Sequence, residues 1–247
     1  KRFINLSAKK RTKFKKISVE QELDRMNLII DLQSKFRNTI ILKKIPHDHF
    51  YSSTLSFKFC TKKAEYTSGE HLKNLSNFLN TNIGITNFNL NNLDEKYKTE
   101  AKRLLPDKNY IGFSLTQGNA YRKKRWSIDN FMDLATKINE KSKVPVFFIA
   151  KEEKELVNEI KSKLPNALFP EHHSNITCPA LVTALASRLN LAISIDNGIM
   201  HMMGLANIPM IVLFGPTDSE KFAPKINSIK ILDSKKMYNS KDINSIT

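Results

Sequence analysis

Short, wholly apolar runs alternate along the second half of the chain with longer stretches in which apolar residues recur every three or four positions. "YIGFSLT" (110–116), "VPVFFIA" (144–150), "LAISI" (191–195) and "MIVLF" (210–214) read as buried strands. Residues 128–141, 152–164, 179–189 and 198–206 read as helices, with Pro179 suited to a first helical turn. Upstream, "MNLIIDLQ" (26–33) reads as a strand ending in Asp31, and 34–45 as the helix after it. The segment 69–85 places Leu72, Leu75, Phe78 and Leu79 at helical spacing, and a further amphipathic helix lies around 94–105. Pro106 and Asp107 follow, dividing the chain into an N-terminal domain, 1–106, and a C-terminal domain, 107–247. The strands are apolar throughout rather than alternating, which predicts parallel strands covered on both faces, a doubly wound α/β architecture. In such sheets ligands bind beyond the carboxyl ends of the strands.

Two strand ends carry chemistry. The run Leu191–Ile195 stops at Asp196-Asn197-Gly198, and His201 follows one turn later. With Asn197 as N-cap, its side-chain oxygen can accept an amide N–H two or three residues on. Gly198 lacks a Cβ and lets a ligand approach the backbone. The unpaired amides and the helix dipole there suit a phosphate. The residues alone leave two readings open: an anion site, or a well-formed turn with His201 as a satisfied core histidine. The second strand end is "SLTQGNAYRKKRWSIDNF" (114–131), with Gly118, then Arg122, Lys123, Lys124, Arg125 and Trp126 before the next helix. If the sheet is parallel, this basic loop shares an edge with Asn197, and its cations can clamp a diphosphate. Lys123 is expected to face solvent, and Trp126 to pack beneath the loop.

Composition narrows the partners. The 247 residues are 40% hydrophobic and 26% charged, as in a globular protein, and the formal net charge of +16 points to a polyanionic partner. Part of that charge accompanies a general richness in Lys, Asn and Ile. Nucleic acid, an anionic membrane surface and a phosphorylated substrate all fit. No apolar run reaches the ~20 residues that cross a bilayer, and the basic head Lys1–Lys16 lacks the apolar core of a signal peptide. Cys60 and Cys178 have no metal-ligand spacing; a disulfide between them stays open, and two buried thiols in a reducing cytosol is the favoured reading. "HDHF" (47–50) has no evident neighbouring ligands and is set aside as a metal site; His172-His173 reads as a surface loop. No GxGxxG, Walker A or known RNA-binding signature is present.

"KRWSIDNFMDLATKI" (124–138 within the basic loop and its helix) resembles the Lys-Arg-Trp-Pro segment and following helix of glycosyltransferase family 9, the ADP-heptose:lipopolysaccharide heptosyltransferases. "SIDNGIMHMMGLANIPMIVLFGPTD" resembles their Asp-(Ser/Thr)-Gly-x-x-His segment, with its Pro-led strand and Gly-Pro-Thr turn. "LIIDLQSKFRNTIIL" (28–42) is similar to their Asp-x-Gln, Arg-bearing segment. The matches run from about residue 26 to 225. The resemblance implies a GT-B fold of two Rossmann-like domains, the N-terminal one incomplete here. It implies an inverting transfer of a heptose-like sugar from an ADP-sugar to an anionic, lipid-linked acceptor of the lipopolysaccharide core. The donor is a substrate, so no cofactor or metal is expected, and no Asp-x-Asp pair is placed to hold a metal-bound sugar nucleotide. A cytoplasmic location follows, with peripheral contact at the inner face of the inner membrane and no nucleic-acid partner.

Carried over by position, Lys124, with Arg125, contacts the diphosphate. Asp196, Asn197 and Gly198 hold phosphate through side chain and backbone, His201 supports the loop, and Gly118 lies in the basic loop. Glu153 matches a glutamate near the ribose, with Glu152 competing for the alignment. Three departures stand out. Asn197 occupies a Ser/Thr position, where it caps equally well. Ser127 replaces a proline, which predicts a looser loop. The family's opening strand and Gly-Asp loop, whose Asp is the proposed general base, has no counterpart before residue 26. The catalytic base is therefore unassigned, and the first domain, as half a Rossmann unit, is expected to cover its own sheet poorly. Two other readings stay beside the transferase: a catalytically silent nucleotide-binding relative, and a basic nucleic-acid-binding protein.

Overall fold

A computed structural model describes residues 24–67, 70–84, 88–107, 109–116 and 124–247. The chain divides into two compact units between residues 86 and 87.

The first unit has strand β1 (Met26–Asp31), helix α1 (Phe36–Leu42), strand β2 (His47–Ser52) and helix α2 (His71–Leu79). β1 and β2 pair in parallel, Met26 opposite His47 through Asp31 opposite Ser52. The strand β2 occupies the segment weighed above for metal; Phe50 and Tyr51 bury its second half against Phe78 of α2. Asp31 closes β1. Its buried carboxylate accepts from Thr39 Oγ1 at 2.5 Å, Ser52 Oγ at 3.0 Å and the Ser34 amide at 3.1 Å, so a charge that burial would penalise is fully hydrogen-bonded. As expected of a two-stranded sheet, apolar side chains are left outside: Leu32 is 65% and Phe36 56% exposed.

The second unit is a five-stranded parallel sheet, order β4-β3-β5-β6-β7. Its strands are β3 (Tyr110–Ser114), β4 (Val144–Phe147), β5 (Leu191–Ile195), β6 (Met210–Phe214) and β7 (Ile229–Asp233). Helices α4 (Ile128–Glu140) and α5 (Lys154–Lys163) cover one face. Helices α3 (Glu95–Leu104), α6 (Pro179–Ala186) and α7 (Gly198–Leu205) cover the other. Short helices α8 (Ser219–Phe222) and α9 (Ser234–Tyr238) follow β6 and β7. The four C-terminal strands foreseen from apolar runs are all present. β7 is half-polar, "IKILD", with Lys230 and Ile231 exposed at the sheet edge, which is why its apolar pattern did not announce it.

The domain boundary differs from the one drawn at Pro106. Helix α3 belongs to the second unit, because it packs on α6 and is fastened there by polar bonds. Ser174 donates to Glu100 at 2.6 Å, Arg103 reaches the His173 carbonyl at 2.8 Å, and Arg188 donates to the Leu105 and Pro106 carbonyls at 2.8 and 2.6 Å. Proline and aspartate mark the end of a helix, and here that end lies inside a domain rather than between two.

The core of the α4/α5 face is an aromatic row. Phe113, Phe147 and Phe169 stack with centroids 5.0 and 5.7 Å apart, crossing β3, β4 and the segment that bridges to Val146 through Leu168. On the other face, a Cβ on Gly112 would lie 2.4 Å from Leu189 Cδ1, so glycine lets the Leu189 side chain that follows α6 lie close on β3.

Candidate donor-binding site

The chain order explains where a site forms. From β3 the chain crosses through α4 to β4 on one side, then returns to β5 on the other side of β3. The crossovers diverge between β3 and β5, and the crevice beyond their carboxyl ends is the topological switch point of the sheet. Ser114 pairs with Ser194 as the last rung between these strands. The two chemistry-bearing segments lie directly beyond it.

Asn197 caps α7: its Oδ1 accepts the Met200 amide at 2.8 Å. The amides of Gly198 and Ile199 make no hydrogen bond among the described residues, and a Cβ added at Gly198 would meet nothing within 4 Å. The helix therefore presents unpaired N–H groups to open space, with the positive end of its dipole. Lys124, at the far end of the β3–α4 loop, is 7% exposed and forms a buried ion pair with the Asp196 carboxylate. Asp196 is likewise 7% exposed. A carboxylate is an acceptor, as phosphate is, and in this contact it holds the lysine. Asn197 Nδ2 donates to Ser114 Oγ at 2.7 Å and to the Thr116 carbonyl at 2.9 Å.

The base of the loop is built on Trp126, whose indole N–H donates to the Ile246 carbonyl at 2.8 Å and whose ring sits edge-on to Phe131 at 4.8 Å. Ser127 is itself tied down. Its hydroxyl caps α4 by accepting the Asn130 amide at 3.1 Å, and its own N–H, which a proline would lack, donates to Asn244 Oδ1 at 2.7 Å. Arg125 is exposed, and its carbonyl accepts from Asn244 Nδ2 at 3.4 Å. Glu153 precedes α5 in the turn after β4, on the same sheet edge and exposed, as is Glu152. His201 is exposed on α7, against the core-histidine reading, and makes no hydrogen bond among the described residues; the start of the loop is bonded by Asn197. Gly118 and Lys123 lie outside the described residues.

Sequence reasoning missed Ser114, Thr116, Asn244 and Ile246. The first two act through a hydroxyl and a carbonyl at a strand end, and the last two reach the loop across 117 and 120 positions of sequence. No local signal carries either relationship. Among the described residues no group of three or more His, Cys, Asp or Glu is placed to hold a metal, and no helix is long and apolar enough to cross a membrane.

A parallel α/β sheet with a lysine and a capped helix terminus at its switch point has the chemistry that a phosphorylated ligand requires. The chain belongs to glycosyltransferase family 9 (heptosyltransferase), whose model matches residues 17–246. It is 26% identical over 220 residues to lipooligosaccharide heptosyltransferase 2 of Campylobacter jejuni, covering 87% of this chain and 66% of that protein. Among solved structures it is similar to a family 9 glycosyl transferase from Veillonella parvula (TM-score 0.62, 18% identity, 88% of this chain and 69% of the other). It is also similar to the E. coli heptosyltransferase WaaC with ADP (TM-score 0.61, 14% identity, 90% and 70%). The fold is thus the α/β, parallel-sheet GT-B type. The chain spans about two thirds of the length of these relatives.

Proposed function

We propose that the chain takes part in the inverting transfer of a heptose-like sugar from an ADP-sugar to an anionic, lipid-linked acceptor of the lipopolysaccharide-core type. The observation that carries the reading is the convergence of Lys124 and the free amides of α7 on the β3/β5 switch point. The solved WaaC structure with ADP supports the choice of nucleotide. In this reading the leaving group is a nucleoside diphosphate. Lys124 and the amides of Gly198 and Ile199 stabilise the charge that develops on it, in a site already oriented before reaction. Arg125 adds an exposed positive charge at the mouth, and Glu153, exposed ahead of α5, is assigned the role of accepting from ribose hydroxyls. Asp196 keeps the Lys124 ammonium in place. The proton of the acceptor hydroxyl goes to a base that none of these residues supplies. The net charge of +16 favours an anionic acceptor and peripheral contact with the inner face of an anionic inner membrane.

The test is turnover: release of ADP from an ADP-heptose in the presence of a heptose-free lipid-linked core acceptor. Acceptor-dependent release supports the transferase. Tight ADP binding with no release supports the silent relative. Salt-sensitive RNA binding without ADP binding supports the nucleic-acid reading.

A further inference from the structure

The β3–α4 loop has two feet, Thr116 at its start and Lys124 at its end, and two consecutive residues of the β5–α7 turn hold them. Asp196 pairs with Lys124, and Asn197 bonds Ser114 and Thr116. We propose that Asn197 is a positioning residue for the donor: its side-chain amide fixes the first foot of the loop, so that the cationic foot and the helix terminus keep a set spacing before ligand arrives.

The chemistry of the side chain argues for more than capping. Capping α7 uses the oxygen alone, in the 2.8 Å bond from Met200. Asparagine also offers two N–H donors, and both have acceptors, Ser114 Oγ at 2.7 Å and the Thr116 carbonyl at 2.9 Å. A serine or threonine hydroxyl could cap the helix equally well, but with one proton it cannot serve two acceptors. The location fits the role. The ladder between β3 and β5 ends at Ser114 and Ser194, and three residues further on the Asn197 amide continues the connection where backbone pairing has stopped. Ser114 is fully buried, so the anchor point is rigid. A ligand that bridges Lys124 and the α7 amides would otherwise have to fix the strand end at Ser114 and Thr116 as it binds, and that cost subtracts from affinity.

The proposal rests on the donor reading above, and the experiment separates the two. Asn197→Thr keeps an oxygen for the cap and replaces the two N–H donors with a single hydroxyl proton, so at most one of the two acceptors can be served; Ser114→Ala removes one acceptor and leaves residue 197 intact. ADP affinity is measured by calorimetry, and hydrogen exchange of the peptides covering 114–127 is followed in the nucleotide-free protein. Expected for Asn197→Thr are an ADP affinity lower by about five- to tenfold, exchange faster by about the same factor, and a melting temperature within about 3 °C of the unsubstituted protein. Ser114→Ala should show a smaller change in the same direction, and the double variant little beyond Asn197→Thr. Unchanged exchange in both single variants overturns the proposal. Lost affinity with unchanged exchange also overturns it, because Asn197 would then act on the ligand directly. If the unsubstituted protein fails to bind ADP, the donor reading falls, while the exchange comparison still decides whether Asn197 holds the loop.

Discussion

Lys124 and Asp196, 72 positions apart in sequence, meet as a buried ion pair at the junction of the β3 and β5 ends, with side chains only 9% and 8% exposed. A lysine at that depth is stable only because the carboxylate answers it, and the carboxylate only because of the lysine. The pair also keeps an ammonium beside the amides of α7, where phosphate is proposed to bind.

The first prediction concerns that mutual dependence. Lys124→Met and Asp196→Asn should each destabilise the nucleotide-free protein by about 3 kcal/mol, since each leaves one buried charge uncompensated. The double variant should cost clearly less than the sum, with a coupling of roughly 1.5 kcal/mol or more in denaturant titrations. Additive losses would mean that the two groups do not share their energy.

Ser127 and Asn244 give a second prediction. Restoring a proline at 127 should destabilise the protein by about 1–2 kcal/mol, because it removes both the hydroxyl that caps α4 and the N–H that reaches Asn244. Asn244→Ala should cost about 1 kcal/mol, and in combination with Ser127→Pro should add little. A proline variant that melts higher than the unsubstituted protein would show that this contact contributes nothing.

The third prediction is a pH dependence with two opposite limbs. Burial, only partly offset by the nearby Lys151 ammonium, raises the Glu171 carboxyl to about 7. One of its oxygens, Oε2, is buried without a hydrogen-bond partner among the described residues. Its folded pKa lies above the unfolded value, so the unfolded chain releases that proton first. Stability from the neutral carboxyl is complete below about pH 4 and declines as pH rises through 7. Glu100 behaves oppositely: its bonds from Arg103 and Ser174 lower it to about 2, so its contribution is present above about pH 4.5 and is lost as pH falls toward 2. Glu171→Gln should therefore gain about 1–2 kcal/mol relative to the unsubstituted protein at pH 8 and nothing at pH 4. Thermal melts at both pH values measure the difference, and a gain that does not change with pH would contradict the assignment.

How much of this was legible in the sequence depends on the range of each interaction. The strands β3, β5 and β6 and the helices α4 and α7 follow from local apolar periodicity, and their order follows from parallel crossovers. That was enough to bring Lys124 and Asn197 to one sheet edge. The pairing of Asp196 with Lys124 was not legible because the two lie in different crossovers, and a carboxylate next to a helix-capping turn reads as part of the turn. The exposure of His201 was not legible because helical spacing fixes its height along α7 but not whether its face is covered. The boundary at Pro106 went astray for a similar reason: the Glu100–Ser174 and Arg188–Leu105 bonds that tie α3 to the second unit span 74 and 83 positions. Ser127 was read as a loosened proline site because its compensating partner, Asn244, sits near the other end of the chain.

The central claim is that one edge of this sheet binds a nucleoside diphosphate through a specific lysine. It is tested most directly by titrating ADP calorimetrically, with a chelator present, into the unsubstituted protein, Lys124→Ala and Lys123→Ala at low and high salt. The two variants carry the same net charge, so any difference between them is positional. A charge-assisted contact to phosphate is worth about 1.5–3 kcal/mol, so Lys124→Ala should lose roughly ten- to a hundredfold in affinity and keep most of that loss at high salt. Lys123→Ala should lose less than ~1 kcal/mol, and salt should erase it. Equal losses in both variants, abolished together by salt, would contradict the account and reduce the basic loop to a diffuse electrostatic patch.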